Sequence, residues 1–175
     1  MKVRLLLAAA VMATVGVTPA TASAQDASCE TMLLGVPFEA TVLPDGFVWT
    51  DLTVGMSGWS GSGWSGSIDV VDPSVEYPPS ITFSAWCSAD PALALHRVTE
   101  VSDALGLDEM VPVVTIGDGS VAVTDERGVL TLWWTDGSFI GSIRPWGVDA
   151  KGIALEDLEA IAGALDVVMA GAPEA

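Results

Sequence analysis

The chain has 175 residues, of which 23 are acidic and six are Lys or Arg, giving a formal net charge of −17. A surface of that sign repels phosphate backbones and anionic lipid headgroups, so nucleic-acid and membrane-surface binding are excluded as expected functions. The acidity itself fits solubility, a cationic partner or a salty habitat, and counting charges does not separate these.

Residues 1–24 read as a cleaved secretory signal. Lys2 and Arg4 make a positive start, residues 5–17 are an apolar run too short to span a bilayer, and Ala22-Ser23-Ala24 offers small side chains to a peptidase. The expected mature protein begins at Gln25 and is secreted, extracellular or periplasmic, with no membrane insertion after cleavage. Residues 25–175 then form a single globular domain, large enough to bury a core. Asn is absent from the chain, so it carries no N-glycosylation acceptor.

Two cysteines, Cys29 and Cys87, predict one disulfide in an oxidising compartment. The other role for Cys29 is lipid attachment, but Asp26 occupies a position where a lipobox needs an aliphatic residue. Two cysteines and the single His96 leave too few soft ligands for a zinc site.

The domain divides into pseudo-halves, about 29–106 and 107–171, each reading as strands followed by one helix. Residues 38–43 and 47–54 look extended, with Pro44-Asp45-Gly46 as the turn between them. Ser-Gly-Trp-Ser-Gly occurs twice in succession, at 57–61 and 62–66. The five-residue spacing sets Trp59 and Trp64 on opposite faces of a regular strand, which favours an irregular aromatic loop over 55–67; a glycine-rich strand pair with its tryptophans in the core is the other reading. Residues 68–71 form a short strand. Residues 81–87 alternate, with Ile81, Phe83, Ala85 and Cys87 on one face and Thr82, Ser84 and Trp86 on the other. A helix follows, capped by Asp90, started by Pro91 and stopped by Gly106, with Ala94, Val98, Val101 and Leu105 as its apolar stripe.

In the second half, residues 113–116 and 121–124 look extended. Residues 129–144 predict a β-hairpin with a type I′ turn at Asp136-Gly137, which sets Trp134 opposite Phe139 and Trp133 opposite Ile140. A last helix runs over about 155–170, with Leu155, Leu158, Ala162, Leu165 and Met169 as its buried stripe. The expected fold is α+β: an antiparallel sheet with two helices on one face.

That arrangement leaves the other sheet face open. Trp86, Trp133 and Ile140 fall on it, and with Trp59 and Trp64 they are the candidate binding residues. The expected function is a secreted, non-enzymatic binding or interaction domain whose partner is a protein, a carbohydrate or a small apolar ligand. Two alternatives stay open: a small extracellular hydrolase using carboxylates, and an accessory domain with no ligand site. No catalytic residue, cofactor or metal site stands out. His96 with Glu100 is an ordinary surface pair one helical turn apart, and Asp118-Gly119 and Asp125-Glu126 read as turns rather than calcium ligands.

Overall fold

The structure is a computed structural model that describes residues 24–57, 61–71, 76, 78–104, 109–111, 113–125, 127–147 and 149–171. Seven strands form one antiparallel sheet: β1 (Phe47–Ser57), β2 (Gly61–Val70), β3 (Ser80–Cys87), β4 (Glu109–Val111), β5 (Gly119–Thr124), β6 (Leu130–Asp136) and β7 (Phe139–Trp146). Their order across the sheet is β1-β2-β3-β7-β6-β5-β4. Two meanders, one from each half of the chain, thus meet where β3 pairs with β7. Three helices accompany the sheet: α1 (Ala24–Leu34), α2 (Pro91–Ala104) and α3 (Leu155–Ala170). The α+β class stands. The proposed signal cleavage site abuts the start of α1, and residues 1–23 lie outside the described residues.

The main core lies on one face. It is built from Ile68, Ile81, Phe83, Ala85, Ala122, Leu132, Trp134 and Ile143 of the sheet, with Cys29 and Leu33 of α1 and Leu158, Ile161, Ala162, Leu165 and Met169 of α3. The i, i+3, i+4, i+7 spacing of those α3 residues explains why this helix docks along one stripe. Ala154 makes no side-chain cap, and Glu156 and Asp157 stand instead against the positive end of the helix.

Helix α2 departs from the expected layout. A side chain at Gly119 would meet Leu95, and Gly119 alternates with Ser120, which pairs with core residue Trp134. So α2 covers β5 and β6 from the face opposite α1 and α3. Over it lie Val121 and Val123, which are buried but belong to no part of the main core. The two helices foreseen on one face are therefore three helices on two faces. Asp90 caps α2 as expected, its carboxylate accepting the Leu93 N–H at 2.9 Å. Ala94 and Val98 are only half-buried, so the stripe of α2 is shallow; Leu105 and Gly106 lie outside the described residues.

Four further local expectations are corrected. Helix α1 was not foreseen, because its short apolar content gives little amphipathic pattern. It is held by the Cys29–Cys87 disulfide, Cα–Cα 6.0 Å, and by the Trp64 indole N–H, which donates to the Leu33 carbonyl at 2.7 Å. Residues 38–40 form a 3₁₀ turn rather than a strand, which drops Phe38 into the core against Trp64 and Phe83. Residues 113–116 are irregular, and the edge strand lies earlier, at 109–111.

The fourth concerns the 55–67 segment, where the strand-pair reading holds over the irregular loop: residues 55–57 and 61–67 belong to the long hairpin of β1 and β2. Its glycines make sense there: Gly66 packs so closely on Asp51 and Leu52 that a Cβ would collide. Trp64 takes the core face, and Trp59 lies outside the described residues.

The 129–144 hairpin forms, but its register slides. Asp136 pairs with Phe139, Trp134 with Gly141 and Trp133 with Ser142. The two loop residues are Gly137 and Ser138, and only Gly137 has positive φ, at 55°. That is the pattern of a type II′ turn, which asks left-handed backbone of glycine alone, whereas type I′ asks it of Asp136 as well. The slide is two residues in the pairing sum, and side chains alternate with period two, so every residue keeps its predicted face. Trp134 points to the core, with no exposure, and lies flat over Gly141, where a Cβ would overlap its ring.

Candidate functional site

The face opposite the main core carries rows of side chains that the register fixes. One row runs Thr53–Ser65–Ser84–Ser142–Trp133 across five strands. The next runs Asp51–Ser67–Thr82–Arg144, and the one beyond it Asp69–Ser80–Trp146. In the other direction, Gly63, Trp86, Ile140 and Thr135 are neighbours. Among the described residues, no helix covers β1, β2, β3 or β7 on this face.

The chemistry of the rows is hydroxyl-rich. Thr53 and Ser65 share a hydrogen bond at 3.3 Å, and Ser65, Ser84 and Ser142 are half-buried rather than sealed. At the end of the Ser/Thr row stands an aromatic pair. The Trp86 and Trp133 rings meet edge to face, centroids 5.7 Å apart. Both are half-buried and lie outside the main core.

The five candidate binding residues therefore separate. Trp86 and Trp133 are brought together on the face opposite the main core, Trp133 on a strand that α2 partly covers and Trp86 on one it does not. Ile140 shares that face but is buried, at 3 %, with Trp86 directly beside it in the sheet; the expectation that it faces water is corrected. Trp64 is buried on the other face with its N–H spent on α1, so it cannot serve a surface. Trp59 lies outside the described residues.

Two further clusters escaped the sequence. The first is a carboxylate trio, Asp118, Asp136 and Asp166. Burial first, then the negative charges of Asp136 and Asp118, push the Asp166 carboxyl up to about 6, opposed by a hydrogen bond from the Gly117 N–H. Burial and Asp118 raise Asp136 as well. The trio ties turns together: Asp118 accepts the Gly137 N–H at 2.9 Å at the hairpin tip, and its own N–H donates to Thr135.

A pH effect follows. Between pH 4 and 6 the folded chain holds a proton at Asp166 that the unfolded chain has released. The contribution of this group to stability therefore rises as pH falls from 7 through about 6, and levels off near the ordinary value of 3.8. After discounting for its partial exposure, the change is on the order of 1 kcal/mol. Urea unfolding of wild type and Asp166→Asn at pH 7 and pH 4.5 measures it. The variant is expected to gain on wild type at pH 7 and to lose that gain at pH 4.5; a pH-independent difference would contradict the assignment.

The second cluster is cationic. Residues Arg127, Arg144 and Lys151 line one groove of about 290 Å³ together with Asp125, Pro145 and Trp146. The Arg144 guanidinium lies over the Trp146 ring, 5.0 Å from its centroid, and donates to Asp125 at 2.7 Å. A second, more open groove of about 590 Å³ lies between α2 and β4–β5, lined by Leu95, His96, Val113 and Val121. His96 and Glu100 pair at 3.3 Å at the surface. Among the described residues, no group of three or more His, Cys, Asp or Glu side chains is placed to hold a metal ion, and no helix is long and apolar enough to cross a membrane.

No protein-family model matches the chain, no curated protein is significantly similar to it, and no solved structure shows a significant match.

Proposed function

We propose that the protein is an exported, non-enzymatic binding domain that takes its ligand on the sheet face opposite the main core, beside Trp86 and Trp133 at the edge of the part that α2 covers. The observation that carries this reading is the edge-to-face tryptophan pair at the end of a row of hydroxyls, half-open and outside the core. Indole packs against the C–H face of a sugar ring, and Ser and Thr hydroxyls both donate to and accept from its hydroxyls. A neutral carbohydrate is therefore the partner whose chemistry fits best among the protein, carbohydrate and apolar ligands considered. Export is supported by the signal-like start and by the disulfide, which persists in oxidising compartments.

The hydrolase alternative would draw on the aspartate trio. Within that trio Asp118 already accepts the Gly137 N–H, which gives it a structural task in holding the turn. The binding reading needs no such double duty.

The test is a glycan and polysaccharide binding screen on wild type, Trp133→Ala and Ser84→Lys. Ser84→Lys fills the hydroxyl row without touching the main core. Both variants should lose binding by about tenfold or more while remaining folded. Undiminished binding in both would remove this face from consideration.

A further inference from the structure

We propose a second binding site, for a small acidic sugar such as a uronic acid, in the groove of Arg127, Arg144, Lys151 and Trp146. It stands on different residues from the aromatic pair and does not depend on it.

The first observation is the charge. From residue 24 onward the chain has only four Lys or Arg, and three of them line this one groove. Gathering like charges costs Coulomb energy, and in a chain with 23 acidic residues a purely solubilising surface would interleave the signs.

The second observation is how the one acidic lining residue, among those described, is used. Asp125 accepts the Arg127 N–H at 2.8 Å and the Val129 N–H at 3.0 Å through Oδ1, and the Arg144 guanidinium through Oδ2. Its carboxylate is consumed in shaping the loop and pinning Arg144. The exposed side chains of Arg127 and Lys151 have no ion-pair partner among the described residues. Among the described residues, two cations around the groove are thus left unpaired. A bound oxyanion offsets them, and a charge-assisted hydrogen bond is the stronger kind.

The third observation sets the rest of the ligand. Trp146 is 51 % exposed, unusual for the largest side chain, and Arg144 holds its ring in place from one side. A flat apolar platform beside cations suits a ring that carries an acid group. The volume of about 290 Å³ sits at the small end of ligand pockets, room for one ring. The net charge of −17 repels long polyanions, so a single acid group is favoured over a polymer dense in them.

Calorimetric titration of the full chain with glucuronate, glucose and inorganic sulfate tests this. Glucuronate should bind, more weakly as salt rises, and glucose should bind at least about tenfold more weakly. Arg127→Gln combined with Lys151→Gln, both at exposed positions, should lower glucuronate affinity by about tenfold or more. Trp146→Ala should weaken glucuronate but leave sulfate unchanged. Equal affinity for glucose and glucuronate, or full affinity in the double variant, would overturn the site. Equal loss of sulfate and glucuronate in Trp146→Ala, or loss of neither, would overturn the ring platform. None of these outcomes tests the Trp86–Trp133 pair, which lies on the same face but whose variants are separate.

Discussion

Trp134→Ala is expected to cost about 3–5 kcal/mol, the largest effect of any single truncation in this chain. The ring is fully buried, flat over Gly141 and enclosed by the core that α3 and the sheet share. Its indole N–H makes no hydrogen bond among the described residues, so the loss comes from area and from the cavity left behind. Trp133 is the control. It is one residue away, half-buried and on the opposite face, so its truncation should cost only about 1–2 kcal/mol. Paired urea curves give both numbers. Equal losses would mean that both faces are packed, and the face of Trp133 would no longer be a binding surface.

Removing the Cys29–Cys87 disulfide should cost roughly 4 kcal/mol on the chain-entropy estimate for a loop of 58 residues. The bridge joins α1 to the end of β3, so the missing constraint falls on the least amphipathic helix. The double variant Cys29→Ala, Cys87→Ala should melt about 10 °C below wild type. Reduction of the wild type should reproduce that shift. An unchanged midpoint in both would mean that α1 docks through Leu33 and the Trp64 hydrogen bond alone.

Where local pattern and tertiary structure agree, the sequence spoke clearly. The alternation of residues 81–87 and the apolar spacing of α3 each report a single buried face, and both elements form as read. The Asp90 cap of α2 needs only its own helix. Faces survived even where register did not, because the hairpin moved by a full pleat period between Asp136 and Phe139. What stayed hidden depends on distant partners. Helix α1 is held by Cys87 and Trp64, residues 58 and 31 positions from theirs. The face chosen by α2 depends on how the two meanders join at β3 and β7. Ile140 is buried on the sheet face opposite the main core, where it pairs with Trp86 of another strand. Arg127, Arg144 and Lys151 are scattered in the chain, although their scarcity in an acidic sequence was itself a signal.

The central claim is that a ligand lands at Trp86 and Trp133, on the sheet face opposite the main core. The most direct measurement is an NMR titration of ¹⁵N-tryptophan-labelled protein with neutral oligosaccharides of several backbones, following the indole N–H signals. The signals of Trp86 and Trp133 should move with at least one of them, while those of the buried Trp64 and Trp134 stay in place. Stationary Trp86 and Trp133 signals across the whole panel, or shifts as large at Trp64 and Trp134, would contradict it.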